Sequence, residues 1–441
     1  MNGRARASSR GALRGPWRLA LVSSVLLWFA AAPQASAQPP APAPLIAAGQ
    51  PVDWWFVFKF NAAAAPTDPN ASGRVCPFGG TPRNYRNGFS QRYEAASSVD
   101  PTLSLRGDLV GTSDSDPVGA TFAEIYNGDF SYVIWNDQFY GDPPVPGCSS
   151  YCRAPWAHSK GVLAWDDQGD GLVMQVTTPS WPASGSPRAP RESDGNTLGC
   201  VRDSDVKVSQ DFFALRLSAG DVSAVLRALE NAGVVTLPND DQVVHLRSEG
   251  PAELRGLAQG LGNSQPPDPQ LAQYTLSTNV RVISKPATLH APPWQLVSAA
   301  LGGEPLRVAS WWTARDRMPS TNGTTGCWDR SVGGAPGRVE IAETGTGPNG
   351  PIGLEGGNGP NGNHAKIGVS LPGGHGLTIF GDMNQTGGLA SDCGEGQDAR
   401  GGLFFVVSDP RLHSSVSSLL AGDTAPDGDR TAAEGGADLS R

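Results

Sequence analysis

The chain has 441 residues, with 33 Lys and Arg against 42 Asp and Glu and a formal net charge of −9. That acidity excludes steering of a polyanion to the surface as a whole at neutral pH, where the long-range field is repulsive. With 56 Gly and 38 Pro, the composition points to long ordered loops between short elements.

Residues 1–37 have the organisation of an export leader: Arg4, Arg6, Arg10, Arg14 and Arg18, then the apolar run LALVSSVLLWFAAA, then Ala35-Ser-Ala37 as a small-residue cleavage site. The apolar run is about 14 residues, short of the roughly 20 that span a bilayer. Its competing reading is an uncleaved N-terminal anchor. Removing the leader takes away five arginines and no acid, moving the formal charge from −9 to −14.

A Pro/Ala linker is expected over 38–50. Short β-branched and aromatic runs then predict strands at 52–60, 130–137, 160–166, 171–178, 366–371, 376–380 and 402–408, with cover on both faces. Ser218-x-x-Asp221, followed by Val222, Val225, Leu226 and Leu229 and closed by Gly233, predicts a capped amphipathic helix. A second helix is expected within 292–303, closed by its glycines. The small, polar and acidic residues 414–441 are expected to be disordered. The roughly 360 residues between linker and tail exceed one compact core, so two halves are expected, 51–255 and 256–413. The fold class is α/β, with α+β as the alternative: mixed sheets covered by helices.

Six cysteines follow the leader, an even count that favours disulfides in an exported chain. The expected pairs are Cys148 with Cys152, Cys76 with Cys200, and Cys327 with Cys393. A zinc site is the weaker reading, because Cys148 and Cys152 have no second close pair of ligands.

The chemistry is concentrated in a repeated unit. His158-Ser-Lys160 runs into a strand, a glycine turn and a second strand, and His364-Ala-Lys366, 206 residues later, does the same. With six histidines and five lysines in 441 residues, this spacing should occur by chance roughly 0.07 times. Two apart on a strand means one shared face. Two such pairs facing a phosphodiester could divide the labour. One neutral imidazole attacks phosphorus, the other, protonated, supplies the leaving oxygen, and each ammonium offsets charge on a non-bridging oxygen. No metal or cofactor is expected, and the implied arrangement is two halves related by a pseudo-two-fold axis. Trp156 and Trp181 flank the first unit and could stack on bases.

The chain resembles the deoxyribonuclease II family, acid endonucleases related to the phospholipase D fold. The resemblance covers roughly 52–410 and rests on VDWWFVFK, WNDQ at 135–138, AHSKGVLAWD at 157–166, TLGCV, SAALG, NHAK at 363–366 and GDMNQ at 381–385. It implies two phospholipase D-like sandwich halves and metal-independent hydrolysis of DNA to 3′-phosphate products through a phosphohistidine, best in acid. By position it implies that His158 and His364 are nucleophile and general acid in either order, that Lys160 and Lys366 clamp phosphate, and that Asn384 is the asparagine after the second unit. Ser180 holds the equivalent place in the first. The superfamily aspartate is missing from both units: Trp165 stands where the first is expected, with Asp166 one residue late. Asn136, Asp137 and Gln138 are then candidates for orienting the imidazoles, and these three with Ser180 and Asp382 for contacting substrate.

In acid, histidines protonate and repulsion of DNA weakens, so a bell-shaped rate profile is expected. The alternatives are a lipid phosphodiesterase of the same chemistry and a catalytically silent nucleic-acid-binding homologue. The expected location is the bacterial periplasm or medium, or the lysosome in a eukaryote.

Overall fold

Strands that are apolar along their whole length cannot leave either face in water. In β1 (Trp54–Lys59), Trp55, Phe56, Val57 and Phe58 are all fully buried. This computed structural model describes residues 40–67, 88–111, 114–138, 148, 151–179, 206–238, 243–264, 270–312, 318–389 and 391–428. The leader, Cys76, Ser180, Trp181 and Cys200 lie outside those ranges.

After β1 come β2 (Tyr93–Ser97), β3 (Ser104–Leu105), β4 (Ser131–Asn136), β5 (Lys160–Trp165), β6 (Gly171–Val176), β7 (Gln210–Leu217) and β8 (Val244–His245). They form one 8-stranded sheet in the order β3-β2-β1-β7-β6-β5-β4-β8. Next are β9 (Ala272–Thr275), β10 (Arg281–Lys285), β11 (Leu306–Ala309), β12 (Thr321–Asn322) and β13 (Arg338–Ile341). A separate hairpin, β14 (Thr344–Gly347) and β15 (Gly350–Gly353), precedes β16 (Ile367–Ser370), β17 (Thr378–Gly381) and β18 (Gly402–Val407). The second 8-stranded sheet runs β12-β13-β11-β16-β17-β18-β10-β9. Its β11–β13 pair is parallel, whereas β5–β6, β6–β7, β16–β17 and β17–β18 are antiparallel. The fold is therefore mixed α+β, with large antiparallel and mixed sheets and few helices.

Among the described residues the α-helices are α1 (Pro117–Asn127), α2 (Ala219–Ala232), α3 (Ala252–Gly260), α4 (Pro293–Ala300) and α5 (Pro410–Leu419). α2 is the helix expected from its capping pattern: Ser218 and Asp221 form the capping box, and Gly233 closes it at φ 73°. Its Asn231 amide donates to Ser284 Oγ at 3.1 Å, which docks the helix on β10. The sheets meet through aromatic faces. Phe56 and Phe213 each stack on Phe380 at 4.5 Å, and Phe213 lies 5.7 Å from Phe405. From Ala41 onward the chain clusters as one compact unit. Among the described residues, no helix is long and apolar enough to cross a membrane.

At the N-terminal end, residues 40–50 of the expected Pro/Ala linker pack on the fold: Leu45 N–H donates to Thr121 Oγ1 at 2.9 Å, and that hydroxyl donates back to Leu45 O at 3.1 Å. At the other end, the disorder expected over 414–441 is corrected for residues 414–428. Leu412, Val416 and Leu419 recur on one face of α5 and are buried, and Asp409 caps the helix. Arg307 then holds the carbonyls of Leu420, Gly422 and Asp423. A polar composition hid an apolar period of three and four residues.

Cys148–Cys152 and Cys327–Cys393 are disulfide-bonded, as expected. The second closes 66 residues. Replacing Cys327 and Cys393 with serine should lower unfolding free energy by about 4 kcal/mol, from the unfolded-chain entropy regained. Urea denaturation of the double variant beside the parent would measure this.

Candidate active site

β4 and β5 pair so that Asn136 faces Lys160 and Trp135 faces Gly161. A Cβ at Gly161 would lie 2.4 Å from the Trp135 ring, so only glycine lets the indole lie flat there. Trp135 Nε1 donates to Ser159 Oγ at 2.8 Å. Ser159 therefore faces the indole, between His158 and Lys160. In the second unit, Asn363 Oδ1 accepts from Ala365 N–H at 3.0 Å, and Lys366 Nζ donates to the carbonyl of His364.

Each histidine is tethered to the opposite sheet's connecting segments. His158 N–H donates to Gly401 O at 2.9 Å, and His364 N–H donates to Ser209 O at 2.8 Å. The ring contacts cross over as well. His158 Nδ1 lies 2.6 Å from the carbonyl of Asp382, the residue that follows β17. His364 Nδ1 lies 3.4 Å from the side-chain amide of Gln210, the first residue of β7. A carbonyl only accepts, so His158 Nδ1 carries a proton, and in the neutral ring Nε2 keeps its lone pair. An amide can present either N–H or, turned over, oxygen. The Thr177 hydroxyl, 2.8 Å from Gln210 Oε1, can donate or accept in response.

Both imidazoles have pKa values held well below the ordinary 6.5. For His158 the causes are burial and then the Lys160 charge, partly offset by Asp137; for His364 they are burial and then Lys366, Lys160 and Lys59. Lys160 thus acts on both rings, and Lys366 acts on His158 too. The two units share one electrostatic neighbourhood. Burial and the neighbouring Lys160 charge push Lys366 down to about 7. The lysines are 1–2% exposed and the histidines 7% and 9%, so a substrate would reach the imidazoles first.

The side chains expected to orient the imidazoles have other partners. Asp137 pairs with Lys160 Nζ at 2.5 Å and with Arg400 Nη2 at 2.9 Å. Burial alone would raise this carboxyl, but Lys160, His158 and Arg400 hold it well below the usual carboxylate range. Asn136 Oδ1 accepts from Gln138 N–H at 2.8 Å in a turn that follows the strand. Asp382 meets His158 through its backbone; its carboxyl accepts from Leu403 N–H at 3.0 Å and is pushed by burial up to about 7. Asn384 is buried next to this segment, with Oδ1 lacking a hydrogen-bond partner.

Sequence reading missed Gln210, Asp211, Trp311 and Arg400. Asp211 Oδ1 accepts from Lys366 N–H at 2.7 Å, and burial raises its carboxyl to about 7. Trp311 stands edge-on to His364 with ring centroids 6.2 Å apart. Arg400 donates to the carbonyls of Trp156 and Ala157, fastening the segment before His158. The signal for the first two was a polar Gln-Asp pair opening the otherwise apolar run QDFFALRL. Arg400, in a glycine-rich loop, gave none.

The family model for deoxyribonuclease II matches residues 45–422. Bovine (Bos taurus) deoxyribonuclease-2-alpha is 28% identical over 165 residues, which are 35% of this chain and 38% of the bovine protein. The pairwise likeness thus spans well under half of either chain. The family match takes in both His-x-Lys units and both sheets that carry them, and on that evidence the chain belongs to the deoxyribonuclease II family.

Proposed function

We propose that this chain is a metal-independent acid endonuclease that hydrolyses DNA to 3′-phosphate products through a phosphohistidine. The observation that carries the reading is the crossed pair of His-x-Lys units, each imidazole held by the other half and both acted on by Lys160. His158, with Nδ1–H given to a carbonyl, is the nucleophile. Its Nε2 attacks phosphorus, the bond to the 5′ oxygen breaks, and protonated His364 gives that oxygen its proton. Water then attacks the phosphohistidine while His364 takes the water's proton. The P–N bond breaks, leaving a 3′-phosphate and free imidazole. Lys160 and Lys366 offset charge on the non-bridging oxygens, work that needs no metal. Asn384, two residues after the Asp382 carbonyl that meets His158 and with its amide oxygen unpartnered, is the proposed asparagine of the second unit. Asn136, Gln138, Asp382 and, from its place in the sequence, Ser180 are proposed contacts of the nucleic acid.

Two phospholipase D-like halves related by a pseudo-two-fold axis account for the site's symmetry. Supporting this, β1-β7-β6-β5-β4 in one sheet and β10-β18-β17-β16-β11 in the other place the strand after each lysine fourth in matching orders. The leader pattern and the disulfides support export to an oxidising compartment.

The depressed imidazoles account for work in acid. His158 stays neutral and nucleophilic at a pH where an ordinary histidine is charged. His364 carries its proton only at low pH, so the rate falls as pH rises through its value. The expected kcat/KM profile for plasmid nicking in EDTA is a bell whose limbs both lie below the ordinary histidine value of about 6.5. A flat profile from pH 4 to 9, or loss of nicking in EDTA, would overturn the proposal. Headgroup release from phospholipid vesicles without nicking would put a lipid phosphodiesterase in its place, and a gel shift without cleavage a silent binder.

A further inference from the structure

Four of the chain's five lysines are buried, and only two belong to the His-x-Lys units. The others, Lys59 and Lys285, are fully buried at the ends of β1 and β10. Ammonium groups in such places are costly unless their donors are satisfied.

Two contacts of each correspond. Lys59 lies opposite Gln210, and Lys285 lies opposite Gly402. Lys59 Nζ donates to the carbonyl of the next residue, Phe60, at 3.0 Å and to Val208 O at 2.6 Å. Lys285 Nζ donates to the carbonyl of the next residue, Pro286, at 3.4 Å and to Arg400 O at 2.7 Å. It also reaches Asp398 O at 2.8 Å. Val208 and Arg400 each stand two residues before the lysine's cross-strand partner. The residue between, Ser209 or Gly401, supplies the carbonyl that accepts the backbone N–H of His364 or His158.

We infer that Lys59 and Lys285 are a second lysine pair, positioning residues that clamp the peptides bearing the crossed tethers, Lys59 for His364 and Lys285 for His158. Each ammonium fixes a carbonyl one peptide away from the tether, so the register of each imidazole is set from the opposite half. This inference rests on the nuclease reading and deepens it. A tether peptide whose neighbouring carbonyl is fixed by an ammonium has less freedom to swing than a loop peptide without such a grip. Lys59 has a second effect: the charges acting on His364 include Lys366, Lys160 and Lys59, and those acting on His158 include Lys160, Asp137, Arg400 and Lys366.

The test is steady-state DNA cleavage across pH by Lys59→Met and Lys285→Met, beside His158→Ala and His364→Ala, with folding checked by circular dichroism. Both lysine variants should lose roughly 100-fold in kcat with KM little changed, the cost of a misplaced reacting group. Lys59→Met should also move the alkaline limb of the profile to higher pH, since it removes a cation acting on His364. Lys285→Met should leave that limb in place. Should a methionine variant fail to fold, the glutamine variant, which keeps a donor for the carbonyl without the charge, is judged by the same two readouts. Folded lysine variants with parental kcat and parental pH profile, beside inactive histidine variants, would overturn this inference and leave the nuclease reading intact. Histidine variants that still cleave would overturn that reading, and this inference with it.

Discussion

His364→Ala is expected to lower DNA cleavage by about 10²–10⁴-fold, the range for a general acid, and His158→Ala at least as much, since it removes the proposed nucleophile. The two losses can be told apart with a 3′-nucleotide p-nitrophenyl ester. Nitrophenolate leaves without a proton, so His364→Ala should recover much of its rate on that ester, whereas His158→Ala should not. The reverse pattern would exchange their roles. The argument depends on the second ring nitrogen. Asp382 O can only accept from His158, which in the neutral ring leaves Nε2 its lone pair, while the Gln210 amide opposite His364 suits either protonation state. Mass-spectrometric detection of phosphate on His158 after acid-quenched turnover would be direct support.

Asp137→Ala should destabilise the fold by about 3–5 kcal/mol, because it leaves Lys160 and Arg400 as buried cations without their shared counter-ion. The sign of the pH dependence follows from the depressed carboxyl. A folded-state value below the unfolded one gives stability that is present above the unfolded value and is lost only as pH falls through the folded value. Asp137 is held well below the usual range, so the gap between parent and variant in urea denaturation should be the same at pH 5 and pH 7. A gap that closes at pH 5 would mean that the carboxylate is already protonated there. The acid range in which the enzyme is proposed to work is thus one in which this ion pair survives. By contrast, burial leaves Asp211 and Asp382 at about 7. Their raised values favour the fold most at low pH and cost stability as pH rises toward 7.

The site was legible in sequence wherever its chemistry was local. His158-x-Lys160 and His364-x-Lys366 are short patterns in a lysine-poor chain, and Ser218, Asp221 and Gly233 announced a helix by capping chemistry that acts within a few residues. Asp137 was legible as a polar residue at a strand end, but its partner was not. It lies beside the imidazoles yet neutralises Lys160 and Arg400, the latter 263 residues away.

Sequence by itself determined the residue types, their repetition and most of the buried strands, because apolar runs and a duplicated spacing depend on neighbours along the chain. Only the tertiary structure decided what holds each imidazole, that Lys59 and Lys285 grip matching carbonyls, and that residues 414–428 join the fold. Those outcomes rest on backbone carbonyls and on pairings between distant segments. A carbonyl is present at every residue, so its use as an acceptor leaves no mark in the order of side chains.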